Sequence, residues 1–467
     1  MQYRHVAFGI SLFVIFLTLC VVAFPAQESS LKDRLDELET RLKRLEDALK
    51  SKAASGAEPA TDAGKASEID EVRRQITILS TEIEKLRSAE PAIEVSAEKA
   101  NSMGLSSSAA SVYRKSHGVS IAGYGEMLYQ NFDGETQTGS GSTRGSQLDF
   151  LRAILYAGYR FNDRFVFNSE IEFEHANTGR GGEVSVEFAY LDYLAAKHFT
   201  LRGGMILIPM GLTNEFHEPT AFLGTRRSET ESQIIPSTWR ENGFGVLGTA
   251  GKFSYRAYLV NGLDASRFTA EGIRGGRQSG ARALAADPAF VGRIDIALTS
   301  GVFFGGSVYT GNSGQGQFID AGRSIGIRTT IGEVHAQAQV RGLDLRALFA
   351  RASLDDVAVL NRLRGLTGKD SPGEMLQGGY IQLGCNILSH FSQNVRLSPY
   401  YRFERLNSQA SVPAGFISDP ARNRKFQTLG VEFRPMPNVA IKGDYQWIRN
   451  RALTGLNQFN INLGYSF

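Results

Sequence analysis

Phe459-Asn460-Ile461-Asn462-Leu463-Gly464-Tyr465-Ser466-Phe467 is the stretch that decides the fold class of this sequence. Its odd positions carry apolar side chains, and its even positions carry small or polar ones. Because successive side chains of a β-strand point to opposite faces, this alternation predicts a strand with one apolar and one polar face. A soluble β-sandwich would show the same pattern, so the number of strands and their connections must separate the two folds.

The same alternation recurs along the chain from Gly118 onward. Residues 165–174, 395–404 and 439–447 each place apolar and polar side chains in turn. We predict sixteen strands, which start near Ser120, Gln147, Phe165, Glu183, Phe199, Asn242, Phe253, Phe290, Val302, Arg323, Gly342, Glu374, Asn394, Lys425, Asn438 and Gln458. An even number of strands returns both ends of the sheet to the same side of a membrane.

The connections between these strands alternate in length. Short turns such as 162–164 and 435–437 alternate with long segments such as 209–240 and 352–373. Short turns on one rim and long loops on the other are typical of bacterial outer-membrane barrels. We therefore predict an all-β fold for residues 118–467, a sixteen-stranded antiparallel transmembrane β-barrel. Its closure would pair every strand edge, as lipid requires.

Both ends of the sequence indicate export. Residues 1–26 are predicted to be a secretory signal peptide, because an apolar run from Val6 to Val22 follows a short positive start. An uncleaved membrane anchor is the alternative, since this run is long for a signal core. At the other end, Phe467 and Tyr465 resemble the terminal signal that the barrel assembly machinery reads. The expected location is the cell outer membrane, in contact with its lipid, with the N-terminal segment in the periplasm.

Two segments rich in leucine and isoleucine predict a short α-helical coiled coil in the periplasm, over residues 27–90. In residues 31–50 and 69–87, apolar side chains recur at alternating spacings of three and four, with charged residues between them. This is the a and d pattern of a coiled coil. A pair of amphipathic helices that fold back on each other is the alternative. Residues 91–117 have no such period and are expected to be a linker.

The polar face of the predicted strands is rich in arginine. A guanidinium stays charged at any relevant pH and offers a planar fork to phosphate or carboxylate. The arginines expected to line the pore are Arg152, Arg160, Arg202, Arg256, Arg293, Arg328, Arg346, Arg396, Arg402 and Arg434. The carboxylates expected on the same face are Glu170, Glu172, Glu174, Glu187, Asp295, Asp344, Glu404, Glu432 and Asp444. Either the two sets pair and leave a weakly selective hole, or unpaired arginines favour anions.

The longest predicted loop, residues 209–240, is the expected pore constriction, since long loops in compact folds are usually functional. If it folds inward, the residues that narrow the pore are Arg226, Arg227, Arg240, Glu229 and Glu231. If it folds outward, it is a surface loop. Glu215, His217 and Glu218 form a weak candidate for metal ligation, and we expect no metal site at this spacing.

Composition and motifs exclude other functional classes. The formal net charge of +3 is too small to indicate binding of nucleic acid. The sequence has no nucleophile elbow, no paired catalytic carboxylates with a histidine, and no phosphate-binding glycine loop between a strand and a helix. It therefore predicts neither an enzyme nor a cofactor.

Residues 118–467 resemble the phosphate-selective porin O/P family of Gram-negative outer membranes. The likeness is carried by residues 201–212 (LRGGMILIPMGL), 239–243 (WRENG), 331–336 (IGEVHA) and the terminal strand. It implies a homotrimer of sixteen-stranded barrels, an arginine-lined lumen and an inward third loop. Phosphate-specific members also use lysines at the constriction. Residues 209–240 contain no lysine, which favours general anions or dicarboxylates.

These features predict a porin with a water-filled channel for passive diffusion of small solutes. The expected selectivity is a modest preference for anions such as phosphate or carboxylates. The alternative is a structural barrel that tethers the outer membrane through its periplasmic coiled coil. A measurement of whether the protein conducts ions would distinguish the channel from the structural anchor.

Overall fold

The computed structural model describes residues 37–47, 71–72, 74–81, 103–115, 117–175, 181–196, 198–392 and 394–467. Sixteen antiparallel strands form one closed barrel, as the sequence predicts. They are β1 (Gly118–Phe132), β2 (Gln147–Arg160), β3 (Phe165–Glu174), β4 (Val184–Ala196), β5 (Phe199–Leu207), β6 (Arg240–Ala250), β7 (Phe253–Asn261), β8 (Pro288–Thr299), β9 (Val302–Asn312), β12 (Arg328–Val340), β13 (Leu343–Leu354), β14 (Met375–Cys385), β15 (Arg396–Ser411), β16 (Asn423–Met436), β17 (Val439–Asn450) and β18 (Gln458–Ser466). Two short strands, β10 (Ile319–Asp320) and β11 (Arg323–Ser324), lie in the loop after β9.

The barrel closes where the first and last strands of the wall meet. β1 pairs with β18 in antiparallel register, with Tyr124 opposite Ser466. Beyond that ladder, Gly123 and Phe467 exchange two backbone hydrogen bonds of 2.9 Å. Each wall strand therefore has a partner on both sides, which satisfies backbone groups that lipid could not.

The terminal strand shows how the sequence alternation maps onto the wall. Phe459 and Ile461 are 39% and 44% exposed, whereas Asn460 and Asn462 are fully buried. The apolar row points outward and the polar row points inward, because the side-chain period of a strand is two. The outward apolar face is the surface that lipid would cover.

One predicted strand was placed wrongly. The prediction started it near Arg323, but that residue belongs to the β10–β11 hairpin, and the wall strand β12 begins at Arg328. The hairpin residue Ile319 is 63% exposed, while Phe318 before it is buried. A short apolar run next to glycines resembles the start of a wall strand, and the sequence pattern could not separate the two.

Residues 103–115 lie inside the barrel, although the sequence analysis assigned them to a linker. Leu105, Ala109 and Ala110 are buried in one apolar cluster with inward tyrosines of the wall. A short 3-10 helix, Ser111–Arg114, precedes β1. The segment has no helical or strand period, so its burial could not be read from the pattern. Its small and apolar side chains nevertheless suit a confined interior.

The long loops carry their own structure and pack on one another. They contain helices α1 (Glu229–Gln233) and α2 (Val357–Arg364). Arg364, at the end of α2, donates to the backbone carbonyl of Phe268 at 2.5 Å. Arg422, in the loop before β16, donates to the carboxylate of Glu271 at 2.6 Å. These contacts join loops that are distant in sequence.

A separate unit of the chain spans residues 23–99. Its described residues, 37–47, 71–72 and 74–81, are helical. Leu79 is buried, and Leu38, Leu42 and Leu45 are partly buried. None of the described helices is long and apolar enough to cross a membrane. The predicted signal peptide, residues 1–26, lies outside the described residues, and the pairing of the helices in a coiled coil stays a prediction.

Candidate pore site

The inward face of the barrel carries rows of charged side chains that are mostly buried. They include Glu126, Glu170, Glu172, Glu187, Asp192, Arg202, Arg256, Arg293, Arg346, Arg402, Glu404, Glu432, Lys442 and Asp444. In a wide lumen, water would reach such groups. Here chain segments inside the barrel cover them, so their partners decide what charge the interior presents.

Three of the predicted pore arginines pair with carboxylates, in two separate groups. Arg202 donates two hydrogen bonds to Asp192, at 2.8 and 2.9 Å. Arg256 and Arg293 both pair with Asp295, at 3.2 and 2.8 Å. Because a bidentate pair neutralises its charges locally, these guanidiniums offer little free charge to a solute.

Five more of these arginines pair with carboxylates or bond to backbone carbonyls. Arg152 lies 3.2 Å from both Glu126 and Glu172. Arg346 and Arg434 each pair with the carboxylate two positions earlier on the same strand, Asp344 and Glu432. Arg160 donates to the carbonyls of Tyr113, Asn162 and Asp163, and Arg402 donates to the carbonyl of Arg226. Arg396, at the start of β15, is exposed.

Arg328 does not line the interior, contrary to the prediction. It alternates with the buried residues Thr329 and Ile331 and is exposed on the outer face. Its guanidinium donates to the hydroxyl of Thr310 at 3.2 Å. The prediction assumed that apolar residues always face outward. Ile331 instead belongs to the apolar cluster inside the barrel, which reverses the assignment of this strand.

The loop between β5 and β6, residues 208–239, folds inward and is bonded to distant parts of the wall. Lys442 of β17 donates to the carbonyl oxygen of Phe222 at 2.6 Å. The neighbouring Asp444 accepts from both the backbone and the hydroxyl of Thr225, at 2.9 and 2.7 Å. On another side, Glu404 of β15 accepts from the backbone of Thr230 at 2.5 Å. The loop thus crosses the interior rather than lying on the surface.

Glu231 is the main anchor of this loop. It is fully buried, and one carboxylate oxygen accepts from Leu212 and Thr213 at 2.7–2.9 Å. The other oxygen accepts from the hydroxyl of Tyr380 on β14 at 2.7 Å. Since hydrogen bonds to a charged group are the stronger ones, this single carboxylate fixes the loop to itself and to the wall.

The other predicted constriction residues differ in their partners. Arg226 lies 3.5 Å from Glu229 within the loop, and both are partly exposed. Arg240 pairs with Glu187 of β4 at 2.5 Å. Arg227 donates to the hydroxyl of Thr238 at 2.7 Å and to a backbone carbonyl. Of these three arginines, Arg227 is the one that forms no ion pair within the described part of the chain.

The weak metal candidates point to three different partners. Glu215 pairs with Arg256 at 3.3 Å, and His217 contacts Glu170 at 3.0 Å. Glu218 accepts from the hydroxyl of Ser108 at 3.3 Å. Within the described ranges, no three histidine, cysteine, aspartate or glutamate residues are placed to hold a metal ion.

Two arginines that the sequence analysis missed lie beside Arg227. Arg274 and Arg277, in the loop after β7, donate to backbone carbonyls of Ser237 and Thr238 respectively. Neither forms an ion pair with any described residue. Three guanidiniums therefore converge on one short stretch of the inward loop, where their hydrogen bonds go to hydroxyl and carbonyl oxygens and no described carboxylate lies within ion-pair distance. The Arg-Gly-Gly-Arg sequence at 274–277 was the available signal.

Comparison with known proteins gives one clear relative. No model of a known protein family matches the sequence. An uncharacterized protein of Aquifex aeolicus (strain VF5) is 38% identical over 353 residues, which cover 73% of this chain and 78% of that protein.

Several solved outer-membrane proteins are similar at low identity. In-vitro folded OmpT of Vibrio cholerae, in its trimer form, is 10% identical, with 76% of this chain and 100% of that chain covered and a TM-score of 0.47. The outer membrane channel DcaP of Acinetobacter baumannii is 12% identical, with 75% and 97% covered and a TM-score of 0.46. An anion-selective porin from Comamonas acidovorans is 11% identical, with 75% and 100% covered and a TM-score of 0.44. At these scores the likenesses carry no inference about function.

Proposed function

We propose that this chain, which belongs to the same family as the Aquifex aeolicus protein, is a porin-type channel for passive diffusion of small solutes across the outer membrane. The observation that carries this proposal is the closed barrel itself, apolar outside and densely charged inside. Charged side chains at membrane depth are costly and normally mark a pathway for ions or polar solutes. The proposal includes a homotrimer, insertion by the barrel assembly machinery, and a periplasmic N-terminal segment.

The channel is narrow. The inward loop 208–239 bonds to β14, β15 and β17, and buried side chains surround it. A sixteen-stranded wall could enclose a wide aqueous lumen. Because this loop occupies much of that space, the proposed solutes are small ones.

The proposed selectivity is a modest preference for anions, such as phosphate or carboxylates. Most inward arginines are paired with carboxylates, so the wall contributes little net field. Arg227, Arg274 and Arg277 bond to hydroxyl and carbonyl oxygens, form no ion pair among the described residues and lie together on one stretch of the inward loop. Guanidiniums without an ion-pair partner, between low-dielectric walls, raise the local concentration of anions. Membership of the phosphate-selective porin O/P family remains part of this proposal.

A structural barrel that anchors the membrane is the second candidate. The burial of inward side chains such as Glu170, Arg256 and Asn460 favours it, because a packed interior needs no solute path. The two candidates differ in whether the reconstituted protein conducts.

Solute flux into liposomes tests the proposal. The full-length protein would be reconstituted and the uptake of glucose, acetate and ethylammonium compared, with heat-denatured protein as the control. We expect acetate to enter faster than ethylammonium, and glucose to enter slowly. Liposomes that are no more permeable than the control would favour the anchor instead.

A further inference from the structure

Residues 103–115 occupy the barrel interior beside the short turns. Tyr113 donates to Asp192 of β4 at 2.7 Å, and the carbonyl of Tyr113 accepts from Arg160 at the end of β2. The side-chain amide of Asn168 on β3 donates to the carbonyl of Ala109 at 2.8 Å. The segment is therefore held by three neighbouring strands through inward side chains.

The wall is shaped to receive this segment. At Gly158 of β2, an added Cβ would lie 2.7 Å from the Cβ of Val112, which is nearer than real Cβ contacts come. Val112 is 1% exposed and fills the space that this glycine leaves. On the segment itself, Gly104 has φ +71°, and a Cβ there would collide with the carboxylate of Glu215. Both surfaces need a glycine at the point of contact.

The same segment also holds the inward loop. The hydroxyls of Ser106 and Ser108 both donate to the carboxylate of Glu218, which is 2% exposed. The carbonyl of Met103 accepts from Arg202 of β5. Removal of the segment would leave the Glu218 carboxylate without two of its donors, and a buried charge without donors is unfavourable.

We propose that residues 103–115 are an internal plug that closes the short-turn end of the barrel, and that solutes pass when the plug leaves. The proposal rests on the channel function proposed above. The segment is short, and its polar contacts are groups that water can satisfy once it withdraws. A displaced plug also frees the loop at Glu218, so one movement opens the mouth and loosens the constriction.

Gly158→Ala tests the plug in the full-length chain, recorded in planar bilayers. The added methyl group should expel Val112 and raise the open probability severalfold. The double variant Val112→Gly/Gly158→Ala removes the collision and should return towards the wild-type value. Gly443→Ala is the matched control, because the nearest heavy atom to its Cβ is a carbonyl oxygen 3.9 Å away.

A cross-link provides the opposite test. The hydroxyl oxygens of Ser111 and Ser120 lie 2.7 Å apart, so Ser111→Cys/Ser120→Cys places two thiols within reach of a disulfide. The oxidised variant should stay closed, and a reductant should restore the wild-type openings. The single variant Ser120→Cys and the wild type, each with and without reductant, are the controls.

The outcomes separate this proposal from the channel function. Equal conduction by wild type and Gly158→Ala, or free conduction by the oxidised cross-linked variant, would show a channel without a plug. No conduction by any variant, including one lacking residues 103–115, would overturn the channel function and the plug together. Rapid formation of the disulfide with conduction only after reduction supports both.

Discussion

Arg240 Nη1 donates to Oε1 of Glu187 at 2.5 Å, which joins the first residue of β6 to β4 inside the barrel. A cation at the predicted constriction is therefore neutralised by the wall. The adjacent arginines 226 and 227 differ in their partners. Arg226 has a carboxylate partner, as Arg240 does, whereas Arg227 bonds to neutral oxygens. Ion selectivity should therefore depend on arginines such as Arg227, which have no carboxylate partner within ion-pair distance in the described part of the chain.

Arg227→Glu should move the reversal potential towards cations, with the largest shift at low salt. Its charge has no ion-pair partner among the described residues, and salt screens such a field over about 10 Å at 0.1 M. Arg226→Glu is the matched comparison, because Glu229 already offsets that charge and the pair is partly exposed. Bilayer recordings in a KCl gradient give both values. Equal shifts for the two variants would contradict the assignment.

Arg274→Gln/Arg277→Gln should reduce the preference for anions without closing the channel. The two guanidiniums reinforce Arg227, and glutamine keeps part of their hydrogen bonding to the loop carbonyls. Arg362→Gln serves as the control, since that loop arginine is exposed and paired with Asp320 at 2.6 Å. Ion preference would be measured at two salt concentrations. A loss of preference in the control variant as well would point to a general surface effect.

Glu231→Gln should destabilise the inward loop. It replaces a buried acceptor of charge-assisted hydrogen bonds by a neutral amide, at a cost of about 1.5–3 kcal/mol. We expect a lower midpoint of urea unfolding and noisier single-channel currents. Glu229→Gln should cost about 0–1 kcal/mol, because its ion pair is partly exposed. A wild-type midpoint for Glu231→Gln would show that this carboxylate does not fix the loop.

Phe467→Ala should lower the amount of protein in the outer membrane but leave the assembled barrel as stable as the wild type. The side chain is 63% exposed, so its packing contributes little, and alanine keeps the backbone bonds to Gly123. Deletion of the residue should also remove those two bonds. Membrane levels and heat modifiability on gels measure the two effects. Normal levels of both variants would mean that residue 467 is no assembly signal.

Deletion of residues 27–100 should leave a homotrimer. The two predicted coiled-coil segments are short and interrupted, and short helices are marginally stable alone. The outer apolar wall is the larger surface available for association. Mass measurement in gentle detergent would report the oligomeric state. Monomers after the deletion, from a trimeric wild type, would assign assembly to the helices instead.

The barrel could be predicted from the sequence because its rule is local. Strand period and loop length can be recognised from neighbouring residues in the sequence. Fifteen strand starts fall within two residues of the predicted ones. The rule fails where an apolar side chain faces inward. Ile331 packs inside the barrel, which placed Arg328 on the wrong face in the prediction.

The chemistry of the interior was less accessible because it depends on contacts between distant residues. Sequence parity placed Arg293 and Asp295 on one face but could not show that they bond at 2.8 Å. Nor could it bring Arg274 to Ser237, which lies in a different loop. Residues 103–115 were missed for the same reason, since a segment without a period gives no sign of what covers it.

The reversal potential of single channels formed by the full-length protein tests the central claim most directly. It would be recorded in a KCl gradient, at low and high salt, for the wild type and Gly158→Ala. The account predicts discrete openings with a modest preference for chloride that weakens as salt rises. It also predicts more frequent openings in the variant. Bilayers that remain silent with both proteins, or openings that favour potassium at low salt, would contradict it.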